Sequence, residues 1–165
     1  MIIYFVGMMG SGKSTVSKIF AEKTNYPFID LDILIQEKAK KSIQEIFEGD
    51  GEKLFRKLES ETLEALSGED AVIACGGGIV LKESNLKQLK SGTVVYLNAS
   101  IPKLIHRLEK VNNRPLIKGK NIEDKLLSIL DERGRLYTEA ANIIIDVNDK
   151  TPEQITNNLI EQLNL

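Results

Sequence analysis

The chain has 165 residues, of which 42% are hydrophobic and 28% charged, so it is long enough to form one domain with a buried core. Its formal net charge of −2 excludes the basic footprint of a general nucleic-acid-binding protein, and any bound anion must be held by local groups. A single cysteine, Cys75, excludes an intrachain disulfide and favours a reducing, cytoplasmic compartment.

Five short apolar runs rich in β-branched residues predict buried strands. They lack polar alternation, which is typical of strands covered on both faces of a parallel sheet. The first run is too short to span a bilayer and lacks the flanks of a signal peptide, so we expect a strand and no membrane partner. The predicted strands are Ile2–Val6, Pro27–Asp32, Ala71–Cys75, Thr93–Leu97 and Asn142–Val147.

Longer amphipathic stretches between these runs predict helices. Strands that alternate with helices imply βαβ units with right-handed crossovers, and therefore a three-layer α/β fold. No repeat or long linker divides the chain, so we expect a single domain over residues 1–165. The predicted helices are Ser14–Thr24, Glu52–Leu66, Lys82–Leu89, Ile101–Leu108, Ile122–Tyr137 and Pro152–Leu163.

Two connections are longer than a simple crossover requires. The first, Leu31–Ser67, joins the second and third predicted strands. The second covers about residues 109–121, where Asn-Asn, Arg-Pro and Lys-Gly-Lys sequences favour a mobile loop. Because ligands often bind at such insertions, both are candidates for the functional site.

The most specific motif is the segment GMMGSGKS, residues 7–14, which fits the phosphate-loop pattern G-x-x-x-x-G-K-[ST] between a predicted strand and a predicted helix. Its glycines let backbone N–H groups turn inward around phosphates, and the helix N-terminus favours the same negative charge. We expect Lys13 to reach the β- and γ-phosphates and the Ser14 hydroxyl to ligate Mg²⁺. By itself the motif predicts nucleotide-phosphate binding, and it leaves GTPases, ATPases and small-molecule kinases open.

Aspartates stand at the end of the second predicted strand, and glycines follow the third. Strand alternation would place the side chains of Asp30 and Asp32 on the same side of the sheet. One carboxylate could then belong to the coordination shell of a metal, and the other could act as a base that accepts the proton of an acceptor hydroxyl. A turn or a helix N-cap is the alternative for these aspartates. The third strand runs into Gly76–Gly78, whose bare backbone a ligand can approach closely, although a flexible turn would also use glycine. This strand lacks the aspartate usual at the GTPase metal position, which shifts the metal role to Asp30.

Three arginines are candidates for anion recognition: Arg56 in the first long connection, Arg114 in the second, and Arg133 in the helix that follows. The planar fork of arginine suits carboxylates and phosphates better than lysine does. Surface ion pairing is the alternative for each arginine. His106, the only histidine, has no evident partner in the sequence and is predicted at a helix surface.

This ordered set of motifs resembles the shikimate kinase family. The resemblance extends from Ile2 to about Pro152 and includes GMMGSGKST, IDLD, GDGE followed by FR, CGGG, NRPL and ERxxLY. It implies a P-loop kinase fold with a five-stranded parallel sheet, a shikimate-binding insertion at about residues 31–67 and a lid at about 109–121. It also implies ATP- and Mg²⁺-dependent phosphorylation of the 3-hydroxyl of shikimate, in the biosynthesis of chorismate and aromatic amino acids.

The resemblance assigns roles residue by residue. Lys13, Asp32 and Arg114 are the expected catalytic residues, with Asp32 helping to deprotonate the attacking hydroxyl. Ser14 and Asp30 match the magnesium positions, Asp30 through water. The expected shikimate-binding residues are Asp32, Arg56, Gly76, Gly77, Gly78 and Arg133. The expected nucleotide-binding residues are Gly10, Ser11, Gly12, Lys13, Ser14, Thr15, Arg107, Arg114 and Lys150.

The chain departs from the family pattern at two positions. Asp149-Lys150 stands where many members place an arginine beside the adenine, and lysine keeps the charge without the planar stacking. Arg135 occupies a position that is often proline, and we assign it no role.

Two alternative functions stay open. A kinase for another small polyol such as gluconate would need the same arginines and aspartate, although the glycine triplet and the context of Arg133 favour shikimate. A regulatory nucleotide-binding module would have no need of paired carboxylates or substrate-type arginines. We expect a monomer with no nucleic-acid or membrane partner.

Overall fold

The computed structural model describes residues 1–110 and 121–165. Five strands form one parallel sheet whose order places the first strand at the centre, and this confirms the predicted α/β class. The strands are β1 (Ile2–Val6), β2 (Phe28–Asp30), β3 (Ala71–Ala74), β4 (Thr93–Asn98) and β5 (Ile143–Asp146), in the spatial order β2-β3-β1-β4-β5.

The centre of the sheet is buried on both faces. In β1, four successive residues from Ile3 to Val6 have no exposed surface, although neighbouring side chains of a strand point to opposite faces. Tyr4 pairs with Ile73 of β3 on one side and with Val94 of β4 on the other. The unbroken apolar runs of the sequence therefore reflect a sheet covered by helices on both sides.

Eight α-helices and two short helical turns connect or follow the strands in the described chain. They are α1 (Lys13–Thr24), α2 (Leu31–Ala39), α3 (Ile43–Glu45), a π-helical turn (Ile46–Asp50), α4 (Gly51–Ala65), a 3₁₀ turn (Ile79–Leu81), α5 (Glu83–Leu89), α6 (Ile101–Leu108), α7 (Ile122–Ala140) and α8 (Pro152–Leu163). Within residues 1–110 and 121–165, none of these helices has the length and apolar character needed to cross a bilayer.

Most predicted strand boundaries agree with the structure within one residue, but the end of the second strand was predicted wrongly. The strand predicted to reach Asp32 ends at Asp30, and Asp32 lies in the first turn of α2, so strand alternation does not relate the two side chains. The reason is the N-cap: Asp30 Oδ1 accepts hydrogen bonds from the backbone N–H groups of Asp32 and Ile33, at 3.1 and 3.3 Å. An aspartate in this position begins a helix directly at the end of the strand.

The fold brings three segments to one edge of the sheet. Residues following the carboxyl ends of β1, β2 and β3 meet there because all three strands are parallel and adjacent. These segments are the phosphate loop, the Asp30–Asp32 turn and the glycine triplet Gly76–Gly78. Open α/β sheets bind ligands at this edge.

Candidate active site

The phosphate loop connects β1 to α1 and is shaped by glycine. Gly12, the N-cap of α1, has φ 93° and ψ 17°, a left-handed conformation that side chains disfavour. Lys13 then begins the helix, and its Nζ donates to the carbonyl oxygens of Gly7 and Met8, each at 2.9 Å. The ammonium group therefore lies over the loop, where phosphates would bind.

A cavity of about 380 Å³ opens beside this loop, and we call it the nucleotide cavity. Arg107 of α6 borders it, and its Nη1 donates to the Gly10 carbonyl at 3.0 Å. Partial burial lowers the pKa of the Arg107 guanidinium. The residues predicted for nucleotide binding that line this cavity are Gly10, Gly12, Lys13, Ser14, Thr15 and Arg107.

Among the described residues, two other predicted nucleotide-binding residues, Ser11 and Lys150, do not line this cavity. Ser11 is buried within the loop. The Lys150 side chain is exposed and donates to the Asp146 carbonyl at 2.8 Å, while Pro152 and Ile155 border the cavity near that end of the chain. Arg114 lies outside the described residues.

A second cavity of about 320 Å³ adjoins the first, and we call it the acceptor cavity. The predicted substrate residues that line it are Asp32, Arg56, Gly76, Gly77, Gly78 and Arg133. The two cavities share Met9, Ser14, Asp30, Asp32, Gly76 and Gly77. A ligand in the acceptor cavity would therefore lie beside the phosphates of a nucleotide in the other.

Ser14 and Asp30 form a pair at the boundary between the cavities. The Ser14 hydroxyl donates to Asp30 Oδ2 at 2.6 Å, while Oδ1 of the same carboxylate caps α2. One aspartate thus connects the start of α1 with the start of α2. The pair offers a hydroxyl and a carboxylate, which are oxygen ligands of the kind that Mg²⁺ prefers.

Sequence reasoning missed Glu59, which is fully buried on α4. Its Oε2 accepts from Arg56 Nη1 at 2.9 Å, and burial raises the pKa of the carboxyl although the Arg56 charge opposes this shift. A signal was available: Phe55, Glu59 and Leu63 follow one another at four-residue spacing, so a carboxylate occupies the buried stripe of the helix. A buried carboxylate on such a stripe requires a partner, and Arg56 is three residues away.

The glycine triplet is required because charged groups pack against its backbone. A Cβ built on Gly76 would lie 2.8 Å from Glu59 Oε1 and 2.9 Å from Asp32 Oδ1. A Cβ on Gly78 would overlap the guanidinium of Arg56. Neighbouring Cys75 is buried, and burial raises the pKa of its thiol, which fits the packing role predicted for it.

Arg133 presents a buried cation to the acceptor cavity from α7. It is 4% exposed, and its nearest carboxylate contact places Nε 3.9 Å from Glu132 Oε2, which is too long for a hydrogen bond. Its guanidinium therefore keeps donor capacity for a ligand carboxylate. Arg56, the other arginine of the cavity, is already paired with Glu59 and, at 3.3 Å, with Glu52.

A phosphate loop beside a second cavity with an aspartate and two arginines defines a P-loop kinase of small molecules. A profile of the family described as shikimate kinase matches residues 9–164. A shikimate kinase of Rippkaea orientalis is 41% identical over 98% of this chain and 87% of its own length. A shikimate kinase of Sulfurihydrogenibium is 42% identical over 98% of this chain and 96% of its own length.

The fold agrees with a solved structure. A shikimate kinase from Acinetobacter baumannii, in complex with shikimate, superposes with a TM-score of 0.95 at 36% identity, over 99% of this chain and 92% of that one. The chain belongs to the shikimate kinase family, whose members are phosphotransferases that act on a hydroxyl group.

Proposed function

We propose that this protein transfers the γ-phosphoryl group of ATP to the 3-hydroxyl of shikimate, yielding shikimate 3-phosphate and ADP. The observation that carries the proposal is the continuity of the two cavities, with Asp32 at their shared boundary. Phosphoryl transfer needs the acceptor hydroxyl next to the γ-phosphate, and adjoining cavities bring the two substrates together. Shikimate 3-phosphate would then enter aromatic amino acid biosynthesis.

The acceptor cavity supplies groups suited to a hydroxylated carboxylate. Arg56 and Arg133 provide cationic forks for the carboxylate, and the bare backbone of the glycine triplet allows close approach of the ring. Asp32 accepts a hydrogen bond from the attacking hydroxyl and takes up its proton as transfer proceeds. Residues 31–67, which contribute Asp32, Arg56 and Glu59, form the substrate-binding insertion of the single domain.

The nucleotide side supplies charge stabilisation. Lys13 and the backbone of the phosphate loop hold the β- and γ-phosphates of ATP and stabilise the transferring charge. The described residues contain no cluster of three carboxylate, histidine or cysteine side chains, so a metal there needs ligands from the nucleotide and water as well. Mg²⁺ would be held there by Ser14 as a direct ligand and by Asp30 through water, and it would neutralise phosphate charge.

Three elements of the proposal remain predictions from sequence. The lid at about residues 109–121, with its catalytic Arg114, lies largely outside the described residues. A contact between Lys150 and adenine, and a monomeric state, also stay predictions.

The experiment that tests the function measures ADP release from MgATP with shikimate, gluconate, a nucleoside monophosphate or no acceptor. We expect strong stimulation by shikimate alone. Preference for gluconate or a nucleotide would overturn the acceptor assignment and keep the phosphate-loop assignment. Nucleotide binding without stimulation by any acceptor would instead indicate a regulatory module.

A further inference from the structure

Tyr137 lies directly behind the glycine triplet. It is fully buried on α7, and its hydroxyl donates to the carbonyl oxygen of Gly77. Its ring stacks on Tyr96 of β4, with the centroids 5.1 Å apart and the planes at 28°. The stack fixes the ring and the hydrogen bond fixes the hydroxyl, so this side chain has one defined position.

The same hydroxyl adjoins Arg133. The two residues are four positions apart on α7 and therefore share a face of the helix, and the Arg133 side chain lies within hydrogen-bonding reach of the phenol. A Cβ built on Gly77 would lie 3.6 Å from the Tyr137 hydroxyl oxygen and 3.7 Å from Arg133 Nη1. The phenol and the guanidinium thus both border the Gly77 backbone.

Two of these three groups line the cavities of the candidate active site. Gly77 lines both cavities and Arg133 lines the acceptor cavity, whereas Tyr137 is not among the residues that border either cavity in the described chain. A glycine peptide has wide conformational freedom, so its orientation depends on hydrogen bonds from outside the segment. Tyr137 supplies such a bond to the carbonyl of Gly77.

We infer that Tyr137 is a positioning residue for the acceptor, whose hydroxyl holds the Gly77 peptide in place beside the Arg133 guanidinium. The inference rests on the proposed function, because it assigns the acceptor's affinity to this arrangement. Tyr137 acts through Gly77 and Arg133 and does not touch the substrate.

If Tyr137 had a purely structural role, its ring would be needed and its hydroxyl would not. Phenylalanine would fill the same volume and keep the stack on Tyr96, so packing alone does not require the hydroxyl. A buried hydroxyl is costly unless it has a partner, and here the partner belongs to the active site. Removing the hydroxyl separates the two roles.

The test compares Tyr137→Phe with Tyr96→Phe, which removes a hydroxyl from the other ring of the stack. The Tyr96 hydroxyl donates to Asn98 Oδ1 at 3.2 Å, so its bonding partner is outside the glycine triplet. Steady-state kinetics with each substrate varied in turn are combined with calorimetric titration of shikimate and of an ATP analogue. Tyr137→Phe should raise KM and Kd for shikimate about five- to fiftyfold, since it leaves the Gly77 carbonyl without its hydrogen-bond donor.

The KM for ATP and the Kd for the ATP analogue serve as the internal control. They should stay within about twofold in Tyr137→Phe, because the phosphate-loop contacts are unchanged, and Tyr96→Phe should leave both sets within about twofold. Unchanged shikimate constants in Tyr137→Phe, or equal losses for both substrates, would overturn the inference. If the wild-type protein showed no shikimate-dependent ADP release, the proposed function itself would fail, and the inference with it.

Discussion

At the scale of single residues, Arg56 is held between two carboxylates that differ in burial. Glu59 is fully buried and Glu52 is 51% exposed. Burial raises the pKa of Glu59 above its ordinary value of 4.5. The folded protein therefore retains a proton that the unfolded chain releases, and this group makes the free energy of unfolding fall as pH rises from about 4.5 through the folded pKa.

Glu59→Gln should remove this pH dependence. The difference in unfolding free energy, wild type minus variant, should decrease as pH rises through that window and become constant above it. Urea denaturation at several values from about pH 4 to pH 8 measures it. Glu52→Gln is the matched control, and a lost surface pair should change stability by at most about 1 kcal/mol. If the unfolding free energy of the wild type minus that of Glu59→Gln increased with pH, the pairing with Arg56 would affect the pKa of Glu59 more than burial does.

The glycine triplet gives a second residue-scale prediction. Gly76→Ala places a Cβ 2.8–2.9 Å from two carboxylate oxygens, whereas the nearest atom to a Cβ at Gly77 is 3.6 Å away. Neither glycine has a left-handed φ, so alanine adds no backbone strain at either position. We expect Gly76→Ala to lower kcat/KM for shikimate by about a hundredfold, because Asp32 must move. Gly77→Ala displaces no protein atom and should lower it less, although its Cβ narrows the approach of the ring. Similar losses in the two variants, measured by steady-state kinetics, would contradict this explanation.

At the scale of elements, Asp30 combines two roles in one carboxylate. Oδ1 caps α2 and Oδ2 accepts from Ser14. Asparagine is nearly as good an N-cap but carries no charge, so Asp30→Asn should keep the stability and lose the metal function. The Mg²⁺ concentration for half-maximal activity should rise about ten- to a hundredfold. Asp30→Ala should in addition lower the unfolding free energy by about 1 kcal/mol. An unchanged Mg²⁺ dependence in Asp30→Asn would leave Asp30 as a cap only.

Local signals explain which elements were predictable. The starts of α6 and α8 match the prediction because Ser100 and Thr151 cap helices whose first turn contains proline. The end of β2 was misplaced because an aspartate can end a strand pattern or cap a helix. The helices α2 and α3 and the π-helical turn were not predicted. The start of α2 falls within the strand that was predicted to reach Asp32, while α3 and the π-helical turn, with three and five residues, carry too little periodicity.

At the scale of the whole molecule, strand order explains why distant motifs form one site. The sequence predicts five strands, but their neighbours depend on long-range pairing that no local pattern encodes. The observed order places β3 beside β1 and β2 beside β3, so the phosphate loop, the glycine triplet and Asp30 become neighbours. The motif residues could therefore be identified from the sequence, and helical spacing could have indicated the pair of Arg56 and Glu59, while the partnership of Tyr137 with Gly77 required the fold.

Ligand-induced stabilisation tests whether the cavities act as separate binding sites on one folding unit. Shikimate at a hundredfold its Kd should stabilise the protein by about 2.7 kcal/mol, which corresponds to a rise in Tm of about 5–10 °C. At the same concentration Arg133→Lys should lose most of this rise, because lysine lacks the planar fork for a carboxylate. An MgATP analogue should still raise the Tm of that variant.

The matched control for this prediction is Arg135→Lys on the same helix. Arg135 is 86% exposed and pairs with Glu139 at 2.6 Å, so its replacement changes a surface ion pair and leaves the acceptor cavity intact. Thermal unfolding of the wild type and both variants, each with shikimate, with the ATP analogue and with neither, gives the comparison. If Arg133→Lys kept the full shikimate shift, or if Arg135→Lys lost it, the buried guanidinium would not be the anion-binding group of the cavity. If Arg133→Lys lost both shifts together, the two cavities would instead behave as one coupled site whose nucleotide side depends on α7.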